Sequence, residues 1–446
     1  MSDMLSIGAT GVRAYQTALS TVSENIANAG TAGYARRTAT LSEVAAPGSS
    51  VSATANGLGV TVSGVARAGD DLRNAQVRGA GADLARTDAS VTWLDRIESA
   101  LTGNQLGDRL GDFFDSASGV AADPTALAPR ATMLEAASSV ATAFAGTGAA
   151  LAGAAADLDA SAEAGVSQLN AAAAALAKVN AALGRTPAGS SGAAAMLDER
   201  DRLLESMSAL TDVAVSLDSA GRATVRAGGD AGPVLVQGDS AGTVTYVRGD
   251  EGAVSFAVHR EGATQALAPG AGALAGMAEG AGRIADARAS LDQLAKQFTD
   301  GVNAVQAGGR DLSANPGAAM FATGDSPSQM TMMLTDPRGI AAAAVGGGSR
   351  DNRNLGALVT LRSSGGFESG VTDLVSTNAA TLSARRTVGE AQGAIRDSAV
   401  AARDSASGVS IDEEAVDLMR FQQAYQAASR VIQTARETLQ TIMDIT

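Results

Sequence analysis

The hydrophobic pattern is most regular at the two ends of the chain. Leu5, Gly8, Val12, Tyr15, Leu19, Val22 and Ile26 recur at alternating spacings of three and four, the stripe of a helix that packs on a partner helix. Asn28, Gly30 and Gly33 then supply the residues that tolerate positive φ and stop such a helix. The same rhythm returns in Leu418, Phe421, Tyr425, Ala428, Ile432, Ala435, Leu439 and Ile442. That second helix has a readable start. Ser410 and Glu413 stand at capping-box spacing, and Asp412, Glu413 and Glu414 put negative charge at the positive end of the helix.

Between these stripes, further helical periods run through Leu84, Val91, Leu94 and Leu101, through Leu134, Ala141, Phe144, Leu151 and Leu158, and through Ile284, Leu291, Leu294, Phe298 and Val305. Asp123-Pro124 and Pro129 break the first half, and glycines and serines at 184–192 form a loop ahead of a helix holding Leu197, Leu203, Leu204 and Leu210. From about 212 to 261 the period changes to two, marking a β insertion with turns at 218–221 and 249–252. A shorter strand pair is expected within 51–65, and the glycine- and asparagine-rich stretch 308–366 is mostly irregular or holds short strands.

The expected fold class is therefore mainly α with a β insertion. Residues 1–45 and 403–446 form a coiled-coil assembly unit, 46–210 and 265–402 an α-rich middle domain, and 211–264 a β-rich outer domain. Amphipathic helices usually pack into their own domain core, yet chain ends are usually frayed and polar. Two apolar seams at the ends point to assembly with neighbouring chains.

Composition narrows the function. Hydrophobic residues make up 45% of the 446 residues but aromatics only 3%, which suits helices packed closely on small side chains. A formal net charge of -14 would repel a phosphate backbone, so no nucleic-acid partner is expected. With no cysteine there is no disulfide, thiolate metal site or catalytic thiol. No uninterrupted apolar run reaches membrane-spanning length, and residues 1–27 have polar breaks and no basic start, which fits neither a membrane span nor a cleaved signal peptide.

Candidate chemistry is sparse. His259, the one histidine, stands on the polar face of a strand, so a His-dependent triad or multi-His metal site is excluded. Asp198, Glu199 and Asp201 cluster, but successive helical residues diverge by about 100 degrees, and Arg200 and Arg202 stand close enough to neutralise them, so an ion-pair cluster is the better reading. Gly57-Leu58-Gly59 and Gly346-Gly347-Gly348 lack the Gly-Lys-Ser/Thr of a phosphate loop, and Asp351-Asn352-Arg353-Asn354 lacks the glycine position and glutamate of a calcium loop. Neither a cofactor nor a metal is expected, and the chain is not expected to be an enzyme.

Ser23-Glu24-Asn25-Ile26-Ala27-Asn28 running into Thr31-Ala32-Gly33-Tyr34 resembles the N-terminal signature of the flagellar axial (rod and hook) proteins, with Ala32 where proline is usual. The segments 407–414 and 421–427 resemble the C-terminal signature of the same proteins. Gly57-Leu58-Gly59-Val60, Phe113-Phe114 followed by Asp123-Pro124 and Arg130, and Leu197-Asp198-Glu199-Arg200-Asp201 are similar to the hook-associated protein 1 family in particular. The resemblance implies a structural protein at the hook–filament junction. It implies assembly as one ring through the end helices, contact with hook protein and hook-associated protein 3, and export through the flagellar type III apparatus with a chaperone on the C-terminal region. The chain is shorter than many members, which implies a reduced or absent outer domain. The alternatives are a hook or rod protein, or, from another class, a secreted hydrolase using Asp198, Glu199 or Asp201.

Overall fold

The computed structural model describes residues 2–31, 33–44, 59–250 and 252–444, so Ala32, Gly57, Leu58 and the first part of the expected 51–65 strand pair lie outside the described residues. Helix α1 (Ser2–Asn28) leads into strand β1 (Arg37–Glu43), which pairs antiparallel with β2 (Val60–Arg67). The expected pair therefore has one strand placed correctly, while its partner comes from before residue 44. In β1 only Ala39 and Leu41 make the apolar side of the alternation, opposite exposed Thr38 and Thr40, too short a run to stand out in the sequence.

Four helices follow: α2 (Asp71–Thr102), α3 (Leu106–Ala122), α4 (Leu127–Leu183) and α5 (Ser191–Leu210). Asp70 caps α2 by accepting from the backbone N–H of Leu72 and Arg73, and Ser190 caps α5 through Ala193. Then come β3 (Val213–Leu217), β4 (Ala223–Ala227), β5 (Val234–Gln237) and β6 (Ser240–Ala241) in one antiparallel sheet, and β7 (Thr243–Arg248), β8 (Val254–Arg260) and β9 (Ala263–Leu267) in a second. The expected turns are present. Asp218 accepts from the N–H of Ala220 and Arg222, and Gly221 and Gly252 adopt φ of 77° and 83°.

Helix α6 (Ala273–Gly308) returns to the helical body. The irregular stretch carries the short strands β10 (Gly309–Arg310), β11 (Phe321–Thr323), β12 (Met330–Met332) and β13 (Ala343–Ala344), and the chain ends in α7 (Gly356–Gly365), α8 (Phe367–Ser407) and α9 (Ile411–Met443). A helix over 367–407 has no counterpart in the periodicity. Among its residues only Phe367, Val371, Leu382 and Ser407 are buried, too few and too widely spaced to form a stripe. Its partner α2 holds it by polar contacts: Asn378 donates to the Leu94 carbonyl (3.1 Å) and to Glu98 (2.7 Å), and Arg386 pairs with Asp95 at 2.6 Å.

Two cores form. In the helical core Phe298 has five phenylalanine neighbours, with ring centroids at 5.4 Å for Phe113 and Phe367, 5.5 Å for Phe321, and 6.0 Å for Phe114 and Phe144. Few aromatics thus suffice, because they are concentrated. The second core joins Val166, Leu169, Ala173 and Leu176 of α4 to Val225, Leu235, Val244, Phe256 and Val258 of the sheets. By length and composition α4 is apolar enough to cross a bilayer, but its buried face is shared between these two cores. The mainly α fold with small antiparallel sheets is the expected class.

Candidate functional site

The two end helices pack antiparallel. A Cβ on Gly8 would lie 2.6 Å from Ile432 Cγ1, one on Gly11 would lie 3.2 Å from the Ala428 Cβ, and the rings of Tyr15 and Phe421 stand 6.5 Å apart. Asn25 meets Glu414 at the other end of the pair. Paired residue numbers therefore sum to about 440.

The sequence stripe is only half the interface. Leu5, Val12, Tyr15, Leu19 and Ile26 are half-buried and Val22 is buried, but the fully enclosed line of α1 is Ala14 (1% exposed), Ala18 (0%) and Asn25 (0%). Small residues let α1 approach on two sides at once, since the start of β2 also reaches it: a Cβ on Gly59 would strike Thr10. On α9, Leu418, Phe421, Tyr425 and Ile432 are half-buried. Leu439 and Ile442, read in the sequence as members of the same seam, are 42% and 47% exposed. The register explains the difference, because it carries Leu439 past the first turn of α1.

A polar node anchors this pair to the body. Asn25 is wholly buried and fully engaged: its amide donates to the Arg37 carbonyl (2.7 Å) and to Glu414 (2.9 Å), and its carbonyl accepts from the Tyr34 hydroxyl (2.9 Å) and the Arg37 N–H (3.0 Å). Asn28 closes the helix end, donating to the Glu24 carbonyl at 2.9 Å, and Gly33 takes φ of 75° in the turn that aims Tyr34 back. Arg36 forks onto the start of α9, reaching Glu414 (2.6 Å), Glu413 (3.1 Å) and Asp417 (3.3 Å). Its hydrogen bond to Glu414 raises the Arg36 pKa further, against the opposing effect of burial. Asp412 stays exposed in the first turn, where Ser410 accepts from the Glu413 N–H.

The carboxylates of α5 complete the node with partners that sequence proximity did not supply. Arg202 pairs with Glu199 and Arg200 with Asp201, as expected. Asp198, however, is held by Arg37 (2.8 Å) and Arg67 (2.6 Å), which arrive from β1 and β2, and Arg67 also reaches Asp201 at 2.8 Å. Burial alone would depress the Arg67 pKa, but the charges of Asp201 and Asp198 outweigh it. Arg200 is itself 3% exposed and donates to the Gly221 carbonyl at 2.8 Å, tying the node to the first β turn. Each oxygen of Asp198 and Asp201 is thus taken by a guanidinium, which suits a structural clamp better than acid–base chemistry. Arg36, Arg37, Arg67 and Tyr34 are the node residues that spacing along the chain could not connect to Asp198 or Glu414. Tyr34 stands in the family motif itself and Arg36 and Arg37 follow close behind it, whereas Arg67 carries no signal in the sequence.

Known proteins are similar to this chain over much of its length. The model of the flagellar hook-associated protein FlgK helical domain matches residues 92–321. This chain belongs to the flagellar hook-associated protein family. The flagellar basal body rod FlgEFG protein C-terminal model matches residues 402–445, the α9 region. Flagellar hook-associated protein 1 of Salmonella typhimurium is 28% identical over 245 residues, which cover 54% of this chain and 43% of that protein. Less than half of that relative's length is therefore matched. The Escherichia coli protein of the same name is 24% identical over an alignment covering 100% of both chains. A solved structure, the flagellar hook junction protein FlgK from Burkholderia pseudomallei, shares the fold with a TM-score of 0.51 and 22% identity over 56% of this chain and 47% of that one.

The protein is thus a flagellar hook-associated structural protein, and the family's motif positions acquire physical roles. Arg130, 1% exposed, donates to the carbonyls of Pro124 (2.7 Å) and Ile340 (2.7 Å), so it fixes the α3–α4 turn against the irregular stretch. Phe113 and Phe114 sit in the aromatic cluster. His259 is exposed on its strand as expected, its ring nitrogens meeting the hydroxyls of Thr245 (3.0 Å) and Thr264 (2.6 Å).

Proposed function

We propose that this hook-associated protein forms the junction between hook and filament, assembling as a ring through α1 and α9. The observation that carries the reading is the unfinished burial of α9: Val416, Met419, Leu439 and Ile442 are 60%, 56%, 42% and 47% exposed on a helix whose inner face already packs on α1. Burying such side chains against neighbouring copies would contribute roughly 1.5 to 3 kcal/mol each before ordering costs are subtracted.

On this reading Leu5, Val12, Tyr15, Leu19, Val22, Ile26, Leu418, Phe421, Tyr425, Ile432, Leu439 and Ile442 make up the assembly interface, within the pair and between copies. Asn25, Asn28, Gly33, Tyr34, Asp198, Arg200, Asp201, Asp412, Glu413 and Glu414 set the pair's angle to the body. Residues 1–45 and 403–446 act as the assembly unit, 46–210 and 265–402 as the middle domain, and 211–264 as the outer β unit. Hook protein and hook-associated protein 3 are the axial neighbours, and the chain reaches them through the type III export apparatus with a chaperone on its C-terminal region.

The test is complementation of a strain lacking the protein with Leu439→Asp. Because Leu439 is already exposed, the variant should keep the wild-type unfolding temperature while cells bear hooks and lose filament subunits to the medium. Normal filaments would overturn the proposed interface.

A further inference from the structure

The end pair is joined to the rest of the molecule at one small place. Helix α9 lies along α1, and α1 lies along α9, β1 and β2; among the described elements, neither packs lengthwise on the long helices of the body. The chain passes from α8 into α9 through Gly408, Val409 and Ser410. A few residues between element ends can absorb a large change of direction, so the bend must be held by side chains.

Arg36 meets both sides of that bend. Its main chain belongs to the body: the N–H donates to the carbonyl of Ser407, the last residue of α8 (2.8 Å), and the carbonyl accepts from the Ala68 N–H just beyond β2 (2.9 Å). Its side chain belongs to the pair, where it reaches Glu413, Glu414 and Asp417. Among the described residues it is the one side chain from outside the pair that bonds to the first two turns of α9. Three carboxylates fix the plane of a guanidinium, whereas a single contact would let it swivel. Glu414 is 1% exposed, and its carboxylate also accepts from Asn25 of α1 (2.9 Å). Arg36 thus grips α9 at the point where α9 meets the end of α1.

We infer that Arg36 is the positioning residue that sets the bend between α8 and α9, and with it the direction in which the end pair leaves the body. The apolar seam holds α1 to α9 without it; the angle depends on it. A ring closes only when every copy presents its interface at the same angle. The bend is therefore a condition for assembly, a consequence that rests on the function proposed above.

The chain has no cysteine, so spin labels at Ser398→Cys on α8 and Gln423→Cys on α9, both exposed, report the bend in the isolated full chain. One narrow distance is expected. Arg36→Ala should broaden it while hydrogen exchange across α1 and α9 stays slow. Arg36→Lys, a point charge that still reaches Glu414 but cannot fork, should restore it in part. Glu413→Gln with Asp417→Asn trims the outer prongs, leaves the buried contact in place, and should broaden the distance as well. An unchanged narrow distance in Arg36→Ala, or in the double variant should Arg36→Ala not fold, would overturn the inference, as would a lysine variant no tighter than alanine. The labels read the angle with no partner present, so this failure is distinct from normal filaments in Leu439→Asp.

Discussion

At the scale of single residues, the node shows how a buried charge becomes tolerable. Asp198 and Arg37 have side chains 7% and 9% exposed, and each has its countercharge within hydrogen-bonding distance. Removing Asp198 takes one carboxylate from both Arg37 and Arg67 and leaves them only Glu24 and Asp201, so Asp198→Ala should cost about 3 kcal/mol. Denaturant unfolding measures this, and a loss near that of an exposed substitution would refute the clamp. A second residue-scale effect concerns pH. Burial alone would raise the Asp159 carboxyl, but hydrogen bonds from Arg248 and Tyr246 outweigh it and hold its pKa below the ordinary value. A depressed carboxylate stabilises the fold above its unfolded pKa, about 3.9, and the contribution is lost as pH falls through the lower folded value. Asp159→Asn should therefore flatten the acid limb of the stability curve below about pH 4 and lower stability at pH 7. An unchanged acid limb would count against the ion pair.

At the scale of elements, glycine sets how closely helices approach. Gly276 and Gly280 lie one turn apart on α6, where added Cβ atoms would come within 2.3 Å of the Arg86 carbonyl and 2.7 Å of Trp93. Helix α2 packs into that notch. Gly280→Leu should destabilise by about 1 to 3 kcal/mol or more through overpacking, visible as a lower denaturant midpoint, and Gly282→Leu, with nothing within 4 Å of its Cβ, serves as the tolerant control. In the helical core, Phe298→Ala should cost about 3 to 5 kcal/mol because five rings close on it. These contacts also explain which elements the sequence disclosed. Strongly periodic helices such as α1, α6 and α9 were legible. Helix α8 was hidden because it is held by Asn378, Arg385 and Arg386 and buries few apolar side chains.

At the scale of the whole molecule, the chain runs out through the helical body to the β sheets and returns, so that its first and last helices meet. Gly8→Val should expose whether that meeting is strict, since the added methyls would drive into Ile432. Hydrogen exchange across α1 and α9 is expected to accelerate while the sheets keep their protection. Retained protection in α1 would show that the pair can shift to accommodate the bulk.

The sequence by itself determined the helical character, the β insertion, the apolar stripes of the two end helices and, through its motifs, the family. Those features depend on local periodicity, capping and turn chemistry, which act over a few residues. Tertiary structure decided that Ala14, Ala18 and Asn25 are the innermost line of α1, that Leu439 and Ile442 lie outside its seam, and that Arg37 and Arg67 hold Asp198 across separations of more than a hundred residues. The physical reason is that burial and countercharge depend on which distant segments arrive at the same place, and no spacing along the chain encodes that meeting.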